Sequence, residues 1–172
     1  QALHPQGNPD MAVLLNNRAL LNEDRGDLAA ALALHRQSLA MRRKVFSKEH
    51  PMTLTALVNV ARVSLQTGEV AAALPLAEDA AKLADRVYAA APNGRHASTF
   101  ATLAEARLAT GDAAGAATAM RRADMLLARL DQPAPSVATY LQKVRARLCA
   151  AAISAACSAN ASPATSARVQ SG

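Results

Sequence analysis

Three glycines, Gly26, Gly68 and Gly111, stand 42 and 43 residues apart, and an acid follows each one: Asp27, Glu69 and Asp112. The stretches around them are self-similar. They read LNNRALLNEDRGDLAAALALHRQSLAM from Leu15, LVNVARVSLQTGEVAAALPLAEDAAKL from Leu57 and FATLAEARLATGDAAGAATAMRRADML from Phe100. A repeat of this period implies stacked supersecondary units, each burying its apolar face against its neighbours. The register extends past the glycines. Leu15, Leu57 and Phe100 share one slot, Ala19, Ala61 and Ala104 a second, and Ala31, Ala73 and Ala116 a third. Each slot has a physical role. Glycine tolerates φ > 0 and closes the first helix of a pair. The acid behind it can cap the second helix and favour its dipole. Alanine recurs where two helices must cross closely.

The pattern resembles the tetratricopeptide repeat (TPR), in the longer form of about 42 residues seen in kinesin light chains and many bacterial proteins. LLNNRALLNEDRGDLAAALALHRQSL looks like that form's first and second helices, and Phe46-Ser47-Lys48-Glu49-His50-Pro51 looks like its linker. The resemblance covers roughly residues 8–130. It implies an all-α fold, an αα-superhelix or TPR-like solenoid of three antiparallel helix pairs. A C-terminal capping helix is expected over the last pair.

Local signals set the expected elements. Asn8-Pro9-Asp10 supplies a cap, a proline at the first helical position and an acid in the first turn. Helices are predicted over about 11–24, 28–46, 51–66, 70–90, 96–109, 113–130 and 136–149. Pro75 falls just past the first turn of the fourth, and Pro92-Asn93-Gly94 marks a turn. The repeats then run over 8–49, 50–92 and 93–131, with the cap at 136–150. Residues 1–7 read as the tail of a preceding repeat or a linker, making the chain a C-terminal piece of something longer. Residues 151–172, dominated by Ser, Ala, Pro, Asn and Gly, read as a disordered low-complexity tail. Gly115 falls inside the sixth helix and reads as replaceable by alanine without loss.

Composition narrows the function classes. Hydrophobic residues make up 51% of the 172, but only 2% are aromatic, so the core is built largely from alanine and depends on close helix contacts. A net charge of +6 permits acidic partners. Cys149 and Cys157 are eight residues apart, about 12 Å along a continuous helix and too far for a disulfide, so a reducing, cytoplasmic location is the default. The apolar run 148–153 is far short of a membrane span.

No phosphate-cradling loop, metal-ligand cluster or nucleophile motif is recognisable, so the reading is of no enzyme, no cofactor and no metal site. His4, His35, His50 and His96 are scattered and read as surface or capping residues. Arg36, Arg42, Arg43 and Lys44 fall on one second helix, and Arg121, Arg122 and Arg129 on another; these read as solvated convex faces. Nucleic acid is disfavoured as a partner because no aromatics are interleaved to stack bases.

In a solenoid of this kind the first helices line the concave surface. The register assigns to it Asn16, Asn17, Leu20 and Glu23 from pair one. Pair two adds Thr55, Asn59, Arg62 and Gln66, and pair three adds Ser98, Thr102 and Glu105. Asparagine is a poor helix former, so its recurrence at Asn17 and Asn59 wants a reason. One reason is an inter-repeat hydrogen bond. The other, implied by the resemblance, is that both side chains hold the backbone of an extended peptide. The expected function is that of a protein–protein interaction scaffold binding a peptide or partner protein, of acidic character if the charge guides the choice. The alternative is the C-terminal regulatory arm of a larger bacterial signalling protein, either a Ser/Thr kinase or a transcription regulator.

Overall fold

The computed structural model describes residues 8–47 and 49–151, and these contain seven helices. They are α1 (Pro9–Asp24), α2 (Leu28–Val45), α3 (Pro51–Gln66), α4 (Val70–Val87), α5 (Gly94–Ala109), α6 (Ala113–Leu127) and α7 (Pro135–Ala150). Consecutive helices pack against one another. α5 also touches α3 and α7, so the odd-numbered helices form one side of the stack. The fold is an all-α solenoid of three helix pairs closed by α7. Expectations for residues 1–7 and for the tail beyond 151 lie outside the described residues.

Each hinge is built the same way. Gly26, Gly68 and Gly111 have φ of 80°, 80° and 82°. Past each glycine the acid's amide turns back onto a carbonyl of the first helix: Asp27 to Asn22 at 2.9 Å, Glu69 to Ser64 at 2.8 Å, and Asp112 to Arg107 at 2.9 Å. This six-to-one closure satisfies carbonyls that the helix end would leave unpaired, and it needs a left-handed residue at the turn. Asp27 and Asp112 then cap the second helices through the amides of Ala30 and Gly115. Glu69 makes no such cap and pairs with Arg36 instead.

The first helices start on polar caps: Asn8 accepts from Asp10, His50 Nδ1 from Met52, and Asn93 from Arg95 and His96. α4 runs unbroken through Pro75, and α4 and α6 stop three residues short of their expected ends. The slot alanines Ala19, Ala61, Ala104, Ala31, Ala73 and Ala116 are all fully buried, as close helix crossing requires.

Three expectations are corrected. Arg42 is not on a solvated convex face. It is 1% exposed and donates from Nη1 to the carbonyl of Met52 at 2.7 Å, bridging α2 to the start of α3. Burial first, and then the charge of Arg95, lower its pKa. His35 and His96 are not surface residues either; they are 0% and 4% exposed, and each gives Nε2 to a carboxylate. Gly115 is more crowded than expected: a Cβ there would lie 2.0 Å from Asp112 Oδ2, so alanine fits only once that carboxylate turns aside. Finally, Cys149 is disulfide-bonded. α7 ends at Ala150 with its cap at Ala151, so the helix geometry from which a disulfide was ruled out does not apply. Cys157 lies outside the described residues. No described helix is long and apolar enough to cross a membrane.

Candidate binding groove

Two cavities open on the side formed by the odd-numbered helices. The larger, about 650 Å³, is lined by Arg62, Leu65 and Gln66 of α3, Glu105 and Leu108 of α5, and Tyr140, Lys143 and Arg147 of α7. The smaller, about 390 Å³, is lined by Thr55, Val58 and Asn59 of α3, Arg95, Ser98 and Thr102 around α5, and Ser136, Val137 and Tyr140 of α7. They share Arg62 and Tyr140, so the two form one trough across α3, α5 and α7.

Of the residues assigned to the concave face, Thr55, Asn59, Arg62, Gln66, Ser98, Thr102 and Glu105 line this trough. Asn16, Asn17 and Leu20 do not. Asn16 is 9% exposed and accepts a hydrogen bond from Asn59 Nδ2 at 2.9 Å. Asn17, the register partner of Asn59, is exposed, as is Leu20. The inter-repeat bond therefore exists, but it reaches the residue before the equivalent slot. Successive pairs are rotated relative to one another, so equivalent positions do not face each other.

The trough side chains are held by their neighbours. Glu23 stands behind Arg62, with Oε2 2.6 Å from Arg62 Nη1, and Oε1 accepts from His35 Nε2 at 2.8 Å. Burial alone would raise the pKa of Glu23. The hydrogen bonds from His35 and Arg62, with the charge of Arg62, outweigh that and hold it at about 2. On the other wall, Tyr140 donates to Glu105 at 2.6 Å and lies 3.0 Å from the Thr102 hydroxyl. Burial, then the charge of Glu105, push its pKa up, which keeps the phenol a donor. Glu105 also pairs with Arg147, and Arg95 donates to Thr55. Among the described residues, Arg95 and Lys143 have no carboxylate partner, so the trough carries surplus positive charge. No group of three or more His, Cys, Asp or Glu capable of holding a metal occurs among the described residues.

The contribution of α7 escaped the sequence reading, which took this helix as a lid over the last pair. The signal was its spacing: α7 begins at Pro135, 41 residues after α5 begins at Gly94, close to the repeat period. It takes the place of a first helix in a fourth pair, and its inner face brings Tyr140, Lys143 and Arg147 to the trough.

Residues 10–86 match the family model of the tetratricopeptide repeat. No curated protein sequence matches the chain. Among solved structures, the fold is similar to a putative kinesin light chain from Podosopora anserina with nearly identical TPR-like repeats. That likeness has a TM-score of 0.70 at 21% identity, covering 84% of this chain and 68% of that one. It is also similar to BtubC (BKLC) from P. vanneervenii, with a TM-score of 0.67 at 21% identity, covering 100% of this chain and 74% of that one. Both likenesses concern the fold. Residues 10–86 are thus tetratricopeptide repeats, and the helix-pair solenoid they begin runs on through α7.

Proposed function

We propose that this chain is a protein–protein interaction scaffold that holds an extended, acidic peptide segment along the α3–α5–α7 trough. Tetratricopeptide solenoids are in general protein-interaction modules. The observation that carries the finer reading is the trough's lining: Arg62, Arg95, Lys143 and Arg147 against Glu105, with Arg62 oriented by Glu23 from behind. Glu23 already holds Arg62 in a two-point pair, so Arg95 and Lys143, which have no carboxylate partner among the described residues, supply the charge for a ligand carboxylate, and Asn59 and Gln66 offer amide donors and acceptors suited to peptide backbone. Asn59 already gives one hydrogen to Asn16, which leaves its second hydrogen and its carbonyl for a ligand.

Selection from a phage-displayed decapeptide library tests this. Enriched peptides are expected to be rich in Asp and Glu, to lose affinity with rising salt, and to bind at least about tenfold more weakly to Lys143→Glu and Arg95→Glu. Enrichment of neutral or basic peptides, or binding indifferent to both substitutions, refutes the reading.

A further inference from the structure

Among the described residues six large apolar side chains are exposed, and five of them, Met11, Val13, Leu14, Leu20 and Leu21, belong to α1. Scattered apolar exposure is ordinary, but clustering on one helix is not. The repeat register sorts them: Val13 and Leu20 hold the slots of Thr55 and Arg62 on the trough side, whereas Met11, Leu14 and Leu21 form a separate stripe in the slots of the buried Thr53, Ala56 and Val63. Leu14 and Leu21 occupy the slots of Ala56 and Val63 in α3 and of Thr99 and Ala106 in α5. Those four side chains are at most 1% exposed, on faces that α2 and α4 help cover, whereas Leu14 is 59% and Leu21 is 56% exposed. The other end of the stack is finished differently. Away from the trough, the exposed positions of α7 include Thr139, Gln142 and Ala146, and none of its large apolar side chains is exposed. Among the described residues, α1 thus exposes the face that is buried at the joints between pairs, and α7 exposes no comparable apolar stripe.

We propose that the outer face of α1 seats an amphipathic helix antiparallel to it. This would be the second helix of a further helix pair that lies N-terminal to Asn8 in the same polypeptide, joined as α2 is joined to α3. A second copy of the chain fits this face less well, for two reasons. A 16-residue helix is about 24 Å long, and a stripe about 10 Å wide along it gives a few hundred Å². That falls well below the ~800 Å² per partner of a stable complex. A covalent neighbour needs far less area, because its effective concentration is in the millimolar range. In addition, Arg18 sits in mid-stripe between Leu14 and Leu21, so a two-fold pairing of α1 with itself would set the two guanidiniums against each other. The incoming helix should instead place small apolar residues over Leu14 and Leu21 and a carboxylate near Arg18.

Two measurements test this. The coding sequence upstream of Gln1 should be read: an in-frame glycine 42 codons before Gly26, with helical apolar periodicity on both sides, is expected. A start codon inside that interval, or a stretch with no such pattern, overturns the proposal. The second uses the 172-residue chain beside a version with residues 8–49 duplicated immediately before Asn8, which sets a copy of α2 against α1 in native register. The duplication should raise Tm by several degrees and slow hydrogen exchange of α1 amides at least about tenfold. Leu21→Glu in the original α1 should abolish that gain while leaving Tm of the 172-residue chain nearly unchanged. No gain in Tm or protection, or equal tolerance of Leu21→Glu in both chains, overturns it. So does a 172-residue chain that sedimentation equilibrium shows to be a dimer and Leu21→Glu dissociates, because then the second copy is the occupant.

Discussion

Replacing Glu23 by Gln strikes the point where repeats one and two are tied beneath the trough. The carboxylate is 12% exposed and serves both the fully buried His35 and the guanidinium of Arg62. Its pKa falls from 4.5 to about 2 on folding. At about 1.4 kcal/mol per unit, that shift corresponds to roughly 3 kcal/mol of stability at neutral pH. The folded-state value is the depressed one, so this stability is complete above about pH 4.5 and is lost as pH falls towards 2. Glu23→Gln should therefore lower unfolding free energy by about 3 kcal/mol at pH 7, or roughly 6–12 °C in Tm for a chain of this size. Urea melts of both proteins at pH 7, 5 and 3 should show the gap narrowing to about half by pH 3. A gap that stays constant across that range, or is under ~1 kcal/mol at pH 7, would mean that Glu23 is not the ionised tie between His35 and Arg62.

Other substitutions separate structure from binding. Asn59→Ala should cost ~1 kcal/mol in chemical denaturation because it strands the buried Asn16, whereas Ala at exposed Asn17 should cost nothing measurable; equal effects would refute the inter-repeat bond. Arg42→Ala should lose about 2 kcal/mol through the void it leaves, and Arg42→Met, which fills that void without a buried charge, should be close to wild type; an equally unstable Met variant would show that the bond to the Met52 carbonyl dominates. Gly68→Val puts a β-branched residue at φ 80° and should cost more than ~1 kcal/mol by calorimetry. Gly115→Ala should stay within ~0.5 kcal/mol, because Ala30 at the same slot of α2 coexists with its Asp27 cap at 3.0 Å, so the Asp112 carboxylate needs only to turn aside; a loss near 1 kcal/mol would mean the cap is broken.

What the sequence determined by itself was everything that depends on a few adjacent residues. A left-handed hinge needs glycine, a helix start tolerates proline at its first position, and a short polar side chain caps the amides that follow. Gly26, Gly68 and Gly111, Pro9 and Pro51, and Asn8 therefore announced helix boundaries, whereas Asn93 read only as part of a turn and in fact caps an α5 that starts two residues earlier than expected. Their repetition announced the stacking, and through it the side on which Thr55, Asn59, Arg62, Gln66, Thr102 and Glu105 gather. What only the tertiary structure decided were meetings between residues ten to forty positions apart, whose geometry depends on how one pair is rotated against the next. That rotation joins Asn59 to Asn16 rather than Asn17, and draws Arg42 under the start of α3. It also brings Arg62 to the Glu23 carboxylate that holds His35 within the first pair, and turns Tyr140, Lys143 and Arg147 of α7 into a wall of the trough. Local propensities carry no information about that rotation, because it is set by how the side chains of two whole helix pairs interlock.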